Sequence, residues 1–248
     1  MASSSETGHA KNVANFENIM SICTGYGAKY NPGNNALKLQ ELNLLLNSAK
    51  NSLTAVNVAL PPFNNAVAAR DSAFAPVNKL ITRVVNALGA SDVPTQTVAT
   101  AKTISRKIQG KRASDKTPAL ANDPATPENG SQKSISASQM SFDNRISNLE
   151  KLIQLLSAQD GYSPNEPELQ VSSLTAVHET LKSTNSAAIN ALVPLSNTRI
   201  ERNNLLYAKD SGLVDIAADI KKYIKSVFGA TSPQFKQISG LKFTRVKS

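Results

Sequence analysis

Two histidines, one cysteine and two clusters of basic residues are the side chains of this 248-residue sequence whose types and spacing could do chemistry. A cysteine nucleophile needs a neighbouring cation or imidazole to hold it as thiolate. Cys23 has neither close in sequence, and it occupies an apolar-periodic position, where a thiol behaves as a small hydrophobe. His9 lies in a polar N-terminal stretch and reads as solvated. His178 falls on an apolar seam, and its neighbour Glu179 points to another side of a helix, so it reads as a half-buried polar insert in a helix interface. Asn185, one heptad further on, reads as a register-setting polar residue. No His-Glu-x-x-His, Cys-x-x-Cys, Walker or Gly-x-Ser-x-Gly pattern occurs, and the Glu-x-x-His pairs of di-metal bundles are missing. The expectation is a protein that is not an enzyme, with no catalytic residue, cofactor, metal or small-molecule substrate.

Charge is the more informative chemistry. From Lys102 to Lys116 there are six basic residues, Lys102, Arg106, Lys107, Lys111, Arg112 and Lys116, against Asp115 alone. From Lys221 to Lys247 there are seven, Lys221, Lys222, Lys225, Lys236, Lys242, Arg245 and Lys247, with no acidic residue. The formal net charge of the whole chain is +9, so the remainder is net acidic and the positive charge is localised. Such clusters are the footprint of a polyanion partner, or else a solvated basic surface. Aromatics such as Phe235 and Phe243 are few near the second cluster and no helix-turn-helix or zinc-finger signature is present, so nucleic-acid binding would be phosphate-directed and non-specific.

The glycine-rich "GYGAKYNPGN" (25–34) raises the question of a phosphate loop. The stretch "QDGYSPNEPE" (159–168) matches it at a shift of 132 residues, placing Tyr30 on Tyr162, Pro32 on Pro164 and Leu37 on Leu169. Of the glycines, the second copy keeps only Gly161, and no strand precedes either copy, as a dinucleotide fingerprint would require. What is shared is Tyr-x-Pro before an apolar-periodic segment, the pattern of a helix-to-helix turn.

The match extends along the chain. "NFENIMSI" (from Asn15) meets "NLEKLIQL" (from Asn148), "ALPPFNNAVAAR" (59–70) meets "ALVPLSNTRIER" (191–202), and "NALGAS" (86–91) meets "SVFGAT" (226–231) after an eight-residue insertion. The sequence therefore reads as a tandem duplication. Leu39, Leu42, Leu46, Ala49, Leu53, Val56 and Leu60 keep heptad spacing, matched by Val171, Leu174, His178, Leu181, Asn185, Ala188 and Leu192. Val13, Phe16, Met20 and Cys23 form a first seam, matched by Phe142, Ile146, Leu149, Ile153 and Leu156. Val77, Leu80 or Ile81, Val84 and Leu88 form a third, matched by Leu213, Ile216, Ile220, Ile224 and Val227. Gly89 and Gly229 sit where C-caps belong. Pro62 and Pro194 would kink the long second helix or break it.

The expected organisation is all-α. An N-terminal tail (1–11) precedes helical repeat 1 (12–107), a flexible Pro/Asn/Ser-rich linker (108–137) and helical repeat 2 (138–248). Each repeat is expected to form a three- to four-helix antiparallel bundle. An apolar share of 40%, an aromatic share of 5% and no Trp suit helices packed through small and medium side chains. No apolar run approaches the 20 or so residues of a membrane span, and the N-terminal stretch has no apolar signal region, so cytoplasmic residence is expected.

The stretches "GHAKNVANFE", "CTGYGAKYNP" and "ATSPQFKQISGLKF" resemble an uncharacterised family of cytoplasmic all-helical proteins from Bacteroidota. That resemblance implies a helical fold and no activity. Taken together, the sequence points to a structural or interaction protein that presents long helical faces to a protein partner or to itself. The alternative is a nucleic-acid-associated protein using the two basic segments.

Overall fold

The computed structural model describes residues 4–110 and 141–245, and the side chains from residue 8 onward. Every regular element among them is helical: α1 (Ser4–Gly25), α2 (Leu39–Phe74), α3 (Val77–Gly89), α4 (Thr95–Gln109), α5 (Phe142–Ser157), α6 (Val171–Tyr207), α7 (Leu213–Phe228) and α8 (Pro233–Ser239). The all-α expectation holds. No helix among the described residues is long and apolar enough to cross a membrane.

Local sequence sets several helix ends. Ser141 accepts the backbone N–H of Asn144 at the start of α5, and Ser232 accepts that of Phe235 ahead of Pro233, which opens α8. Gly110, at φ 66°, closes α4 in the left-handed conformation, and Gly229, at φ 90°, closes α7. Gly89 is instead the last residue of α3, which is capped by Ala90.

Neither α2 nor α6 breaks at its prolines. Pro61 and Pro62 lie inside the 36 residues of α2, and Pro194 inside the 37 of α6. Proline in a helix interior costs about 3 kcal/mol. Here the three prolines are exposed, and the carbonyls they leave unpaired belong to the exposed residues Asn57, Val58 and Asn190, where water can accept the loss.

The chain forms two compact units, one from residues 1–64 and 190–248, the other from residues 65–189. These are not the sequence repeats 12–107 and 138–248. Because the divides fall inside α2 and α6, an unbroken long helix gives its two ends to different units. A helix broken at its prolines could have folded back on its own repeat.

In the first unit α1 packs on α7 and α8, and α7 also packs on the turn Asn35–Leu37. Its core includes Phe16, Ile19, Leu42, Leu213 and Ile220. In the second unit α4 packs between α3 and α5, and α3 contacts the turn Pro167–Leu169. Its core includes Ile81, Leu88, Ile108, Leu149 and Leu174.

The seams are largely buried, with four differences. Leu192 and Val227 are exposed, and Ile19 and Leu152, which lie between seam positions, are fully buried. The N-terminal boundary also moves. Residues from Ser4 onward continue α1, and His9 is 2% exposed rather than solvated, because the helix continues its buried face by one more turn. At the other boundary Ile108 is fully buried in α4, which runs on to Gln109, so the helix continues past Lys107. The remainder of the linker, 111–137, lies outside the described residues.

Candidate functional site

The repeated turn has a defined chemistry. The Tyr30 hydroxyl donates to the Leu37 carbonyl at 2.7 Å, and the Tyr162 hydroxyl donates to the Leu169 carbonyl at 2.8 Å. Both bonds are buried, and each fastens the loop two residues before a long helix begins. Burial pushes both phenols above their ordinary range. The glycines do conformational work. Gly27 adopts φ 56°, and a Cβ on Gly161 would lie 2.2 Å from the Asp92 carbonyl oxygen. The structure therefore accounts for both stretches as turns.

The basic residues separate between the units. Lys102, Arg106 and Lys107 lie on α4 in the second; Lys221, Lys222 and Lys225 on α7, with Lys242 and Arg245 beyond α8, lie in the first. Lys111, Arg112, Lys116 and Lys247 lie outside the described residues. Several of these cations are engaged internally. Arg245 donates to Asp215 Oδ1 at 2.6 Å and to the Tyr207 carbonyl at 2.7 Å. The Arg245 hydrogen bond holds the Asp215 carboxyl below its ordinary range. Lys221 donates to the Leu241 carbonyl, and burial lowers its pKa. Lys222 pairs with Asp219 at 2.8 Å, which raises its pKa. Lys102, Lys107, Lys225, Lys236 and Lys242 are exposed.

The final described segment is strapped to α1. The Asn12 side chain both donates to the Thr244 carbonyl (2.7 Å) and accepts its N–H (3.0 Å), while Asn15 donates to the Lys242 carbonyl (2.7 Å). His9 Nδ1 lies 2.6 Å from the Tyr207 hydroxyl, which also accepts from Asn12. Sequence reading missed this polar cluster, since nothing in the spacing of His9 and Asn12 reveals a partner some two hundred residues away. It also missed a stack in the second unit, where the Arg70 guanidinium lies 3.9 Å from the Phe142 ring centre and Arg145 lies 5.0 Å from that of Phe74.

Cys23 is fully buried, and burial raises its pKa to about 12. His178 is 8% exposed and Asn185 is also buried, so both sit in a helix interface. Contrary to the helical-wheel expectation, Glu179 Oε1 reaches His178 Nδ1 at 3.1 Å.

A groove within the first unit, about 540 Å³, is mostly apolar, with Leu45, Ile200 and Leu205 flanked by Asn197, Glu201 and Asn204. Exposed large apolar residues also punctuate the long helices: Leu44 and Val58 on α2, and Ile189, Leu192, Val193 and Ile200 on α6. Comparison with protein-family models, curated proteins and solved structures finds no match. The chemistry of these surfaces is therefore the ground for a functional reading.

Proposed function

We propose that this chain is a non-enzymatic structural or interaction protein. It is built by duplication of a helical unit and presents the faces of its long helices to a partner or to further copies of itself. The observation that carries the reading is the apolar surface left open in the first unit. Leu44 and Ile200 are each 56% exposed, Val193 54% and Val58 68%, and Ile200 lines the groove with Leu45 and Leu205. Single exposed apolar residues are ordinary, but apolar residues that line an open groove are characteristic of an interaction surface. The duplication is supported by the paired Tyr30 and Tyr162 hydrogen bonds. Cytoplasmic residence belongs to the same reading.

The test is light scattering across a concentration series on the intact chain and on a Val193→Lys/Ile200→Lys variant. Self-association predicts a mass that rises above 26.4 kDa with concentration in the wild type and stays there in the variant. A wild type that remains monomeric throughout removes self-association and leaves a different protein as the partner.

A second reading, non-specific binding of nucleic-acid phosphates, is favoured by Lys225, Lys236 and Lys242, which lie exposed without an acidic partner among the described residues. It predicts affinity falling by about 0.9 log units per log unit of salt for each duplex phosphate neutralised. Fluorescence polarisation across a salt series measures this, and no binding at low salt removes the reading.

A further inference from the structure

The two matched turns carry opposite charge. In the first unit the turn after α1 lies against the end of α7 and against α8. The Tyr26 hydroxyl donates to the Gln234 carbonyl at 2.9 Å, and the Tyr223 hydroxyl accepts the Asn31 N–H at 3.1 Å. Residues 24–38 and 223–239 make this end. They hold four lysines, Lys29, Lys38, Lys225 and Lys236, and no acidic residue. All four are exposed, without an acidic partner among the described residues.

In the second unit the matching residues, 156–170 and 83–99, form the corresponding end. Gly161 approaches the Asp92 carbonyl there, and Arg83 pairs with Glu168 at 2.7 Å. Four carboxylates, Asp92, Asp160, Glu166 and Glu168, stand against Arg83 alone. With Glu168 paired, Asp92, Asp160 and Glu166 remain exposed without a basic partner among the described residues.

We propose that the basic end of the first unit in one molecule docks on the acidic end of the second unit in another copy of this chain. This rests on the self-association reading above and adds to it a specific ionic contact. Charge favours a second copy, because each end offers what the other lacks. Shape agrees. Val227, 43% exposed, stands two residues from Lys225 in the last turn of α7. Its match in the second unit is Ala87, which lines an open groove of about 450 Å³ with Arg83, Asn86, Ser163, Asn165 and Glu166. One end thus carries an apolar knob among lysines, and the other a groove edged by a carboxylate. A nucleic acid would engage the lysines but leaves the acidic end and its groove without a role.

Complementary charge across an interface speeds encounter and fixes register. Because the joined surfaces are unlike, each added copy leaves one end of each sign open, and growth continues to a ring or a filament. Exposed ion pairs contribute little singly, so the contact is weak and salt-sensitive.

Light scattering on the nuclease-treated intact chain tests this. The Debye length falls from about 30 Å at 0.01 M salt to about 3 Å at 1 M. The wild-type mass is expected to rise with concentration at the lower salt and to return to 26.4 kDa at the higher. Lys29→Glu/Lys225→Glu/Lys236→Glu makes both ends acidic, and Asp92→Lys/Asp160→Lys/Glu166→Lys makes both basic. Each variant alone should stay monomeric with unchanged circular dichroism, and an equimolar mixture should associate again. The proposal is overturned by a wild type that stays monomeric at low salt, by association that appears only when duplex is added back, or by a mixture that stays monomeric. An increase that persists at 1 M salt and in both variants, but is lost in Val193→Lys/Ile200→Lys, also overturns it and leaves self-association through the apolar groove standing.

Discussion

The hydroxyl of Tyr30 and the carbonyl of Leu37 are joined by a 2.7 Å hydrogen bond closed off from solvent. The same bond recurs 132 residues later between Tyr162 and Leu169. Each phenol pins a loop against the start of a helix longer than 35 residues, and so fixes where that helix sets out. Removing the hydroxyl leaves a buried carbonyl unpaired. Tyr30→Phe and Tyr162→Phe are each expected to cost about 1–3 kcal/mol, measured by urea denaturation. The effects should add in the double variant, because the bonds lie in different units.

The same burial predicts an alkaline limit. Both phenols have folded pKa values raised above 10.0, so the folded state holds their protons more tightly than the unfolded chain. Their contribution is complete below pH about 10 and is lost as pH rises through the folded values. Unfolding free energy should therefore fall above pH about 10 in the wild type. It should fall less steeply in the Tyr30→Phe/Tyr162→Phe variant, and equal slopes would show that these phenols do not titrate with folding.

Cys23 offers a reporter of the first core. A thiol that is fully buried, with a pKa of about 12, exposes almost no thiolate at neutral pH. Alkylation by iodoacetamide at pH 8 is expected to proceed only through unfolding and to accelerate in urea along the global transition. Fast labelling in native buffer would mean that α1 opens locally.

How far the fold was legible follows from the same residues. Periodicity locates the helices and most of their buried positions, because burial follows the 3.6-residue repeat directly. It misses Ile19 and Leu152 because α1 and α5 bury a face wider than a heptad seam. It misses His9 because a polar residue gives no sign of a distant partner such as Tyr207. The exchange of halves is hidden for a different reason. With the seams of the two halves of the sequence so alike, α1 could meet α3 or α7 with similar apolar complementarity. The choice depends on whether α2 and α6 run through their prolines, which proline alone does not decide. The basic clusters were visible as charge, but their engagement by Asp215, Asp219 and backbone carbonyls was not.

Gly161 shows what the turn demands. A methyl group there would lie 2.2 Å from the Asp92 carbonyl oxygen, and backbone cannot yield as a side-chain tip can. Gly161→Ala is expected to destabilise by about 2 kcal/mol or more, measured by thermal or urea unfolding. Gly33→Ala, in the matching loop, has no atom within 4 Å and should be near neutral. Equal effects at the two positions would contradict the close approach.

The composition of the units makes a prediction about connectivity. The first core sets Phe16 and Cys23 from the N-terminal half against Ile216 and Ile220 from the C-terminal half. The second sets Val84 and Leu88 against Leu149 and Leu152. Neither half holds a complete core. A protease site introduced between Ala121 and Asn122, and cut after folding, should therefore yield two fragments that co-elute in native buffer and part only in denaturant. Cutting turns an intramolecular association into a bimolecular one, so the melting temperature of the nicked protein should rise with its concentration, while that of the intact chain, measured where it is monomeric, should not. If the fragments separate in native buffer, each carrying cooperative helical structure, each repeat closes on itself and the exchanged arrangement is wrong.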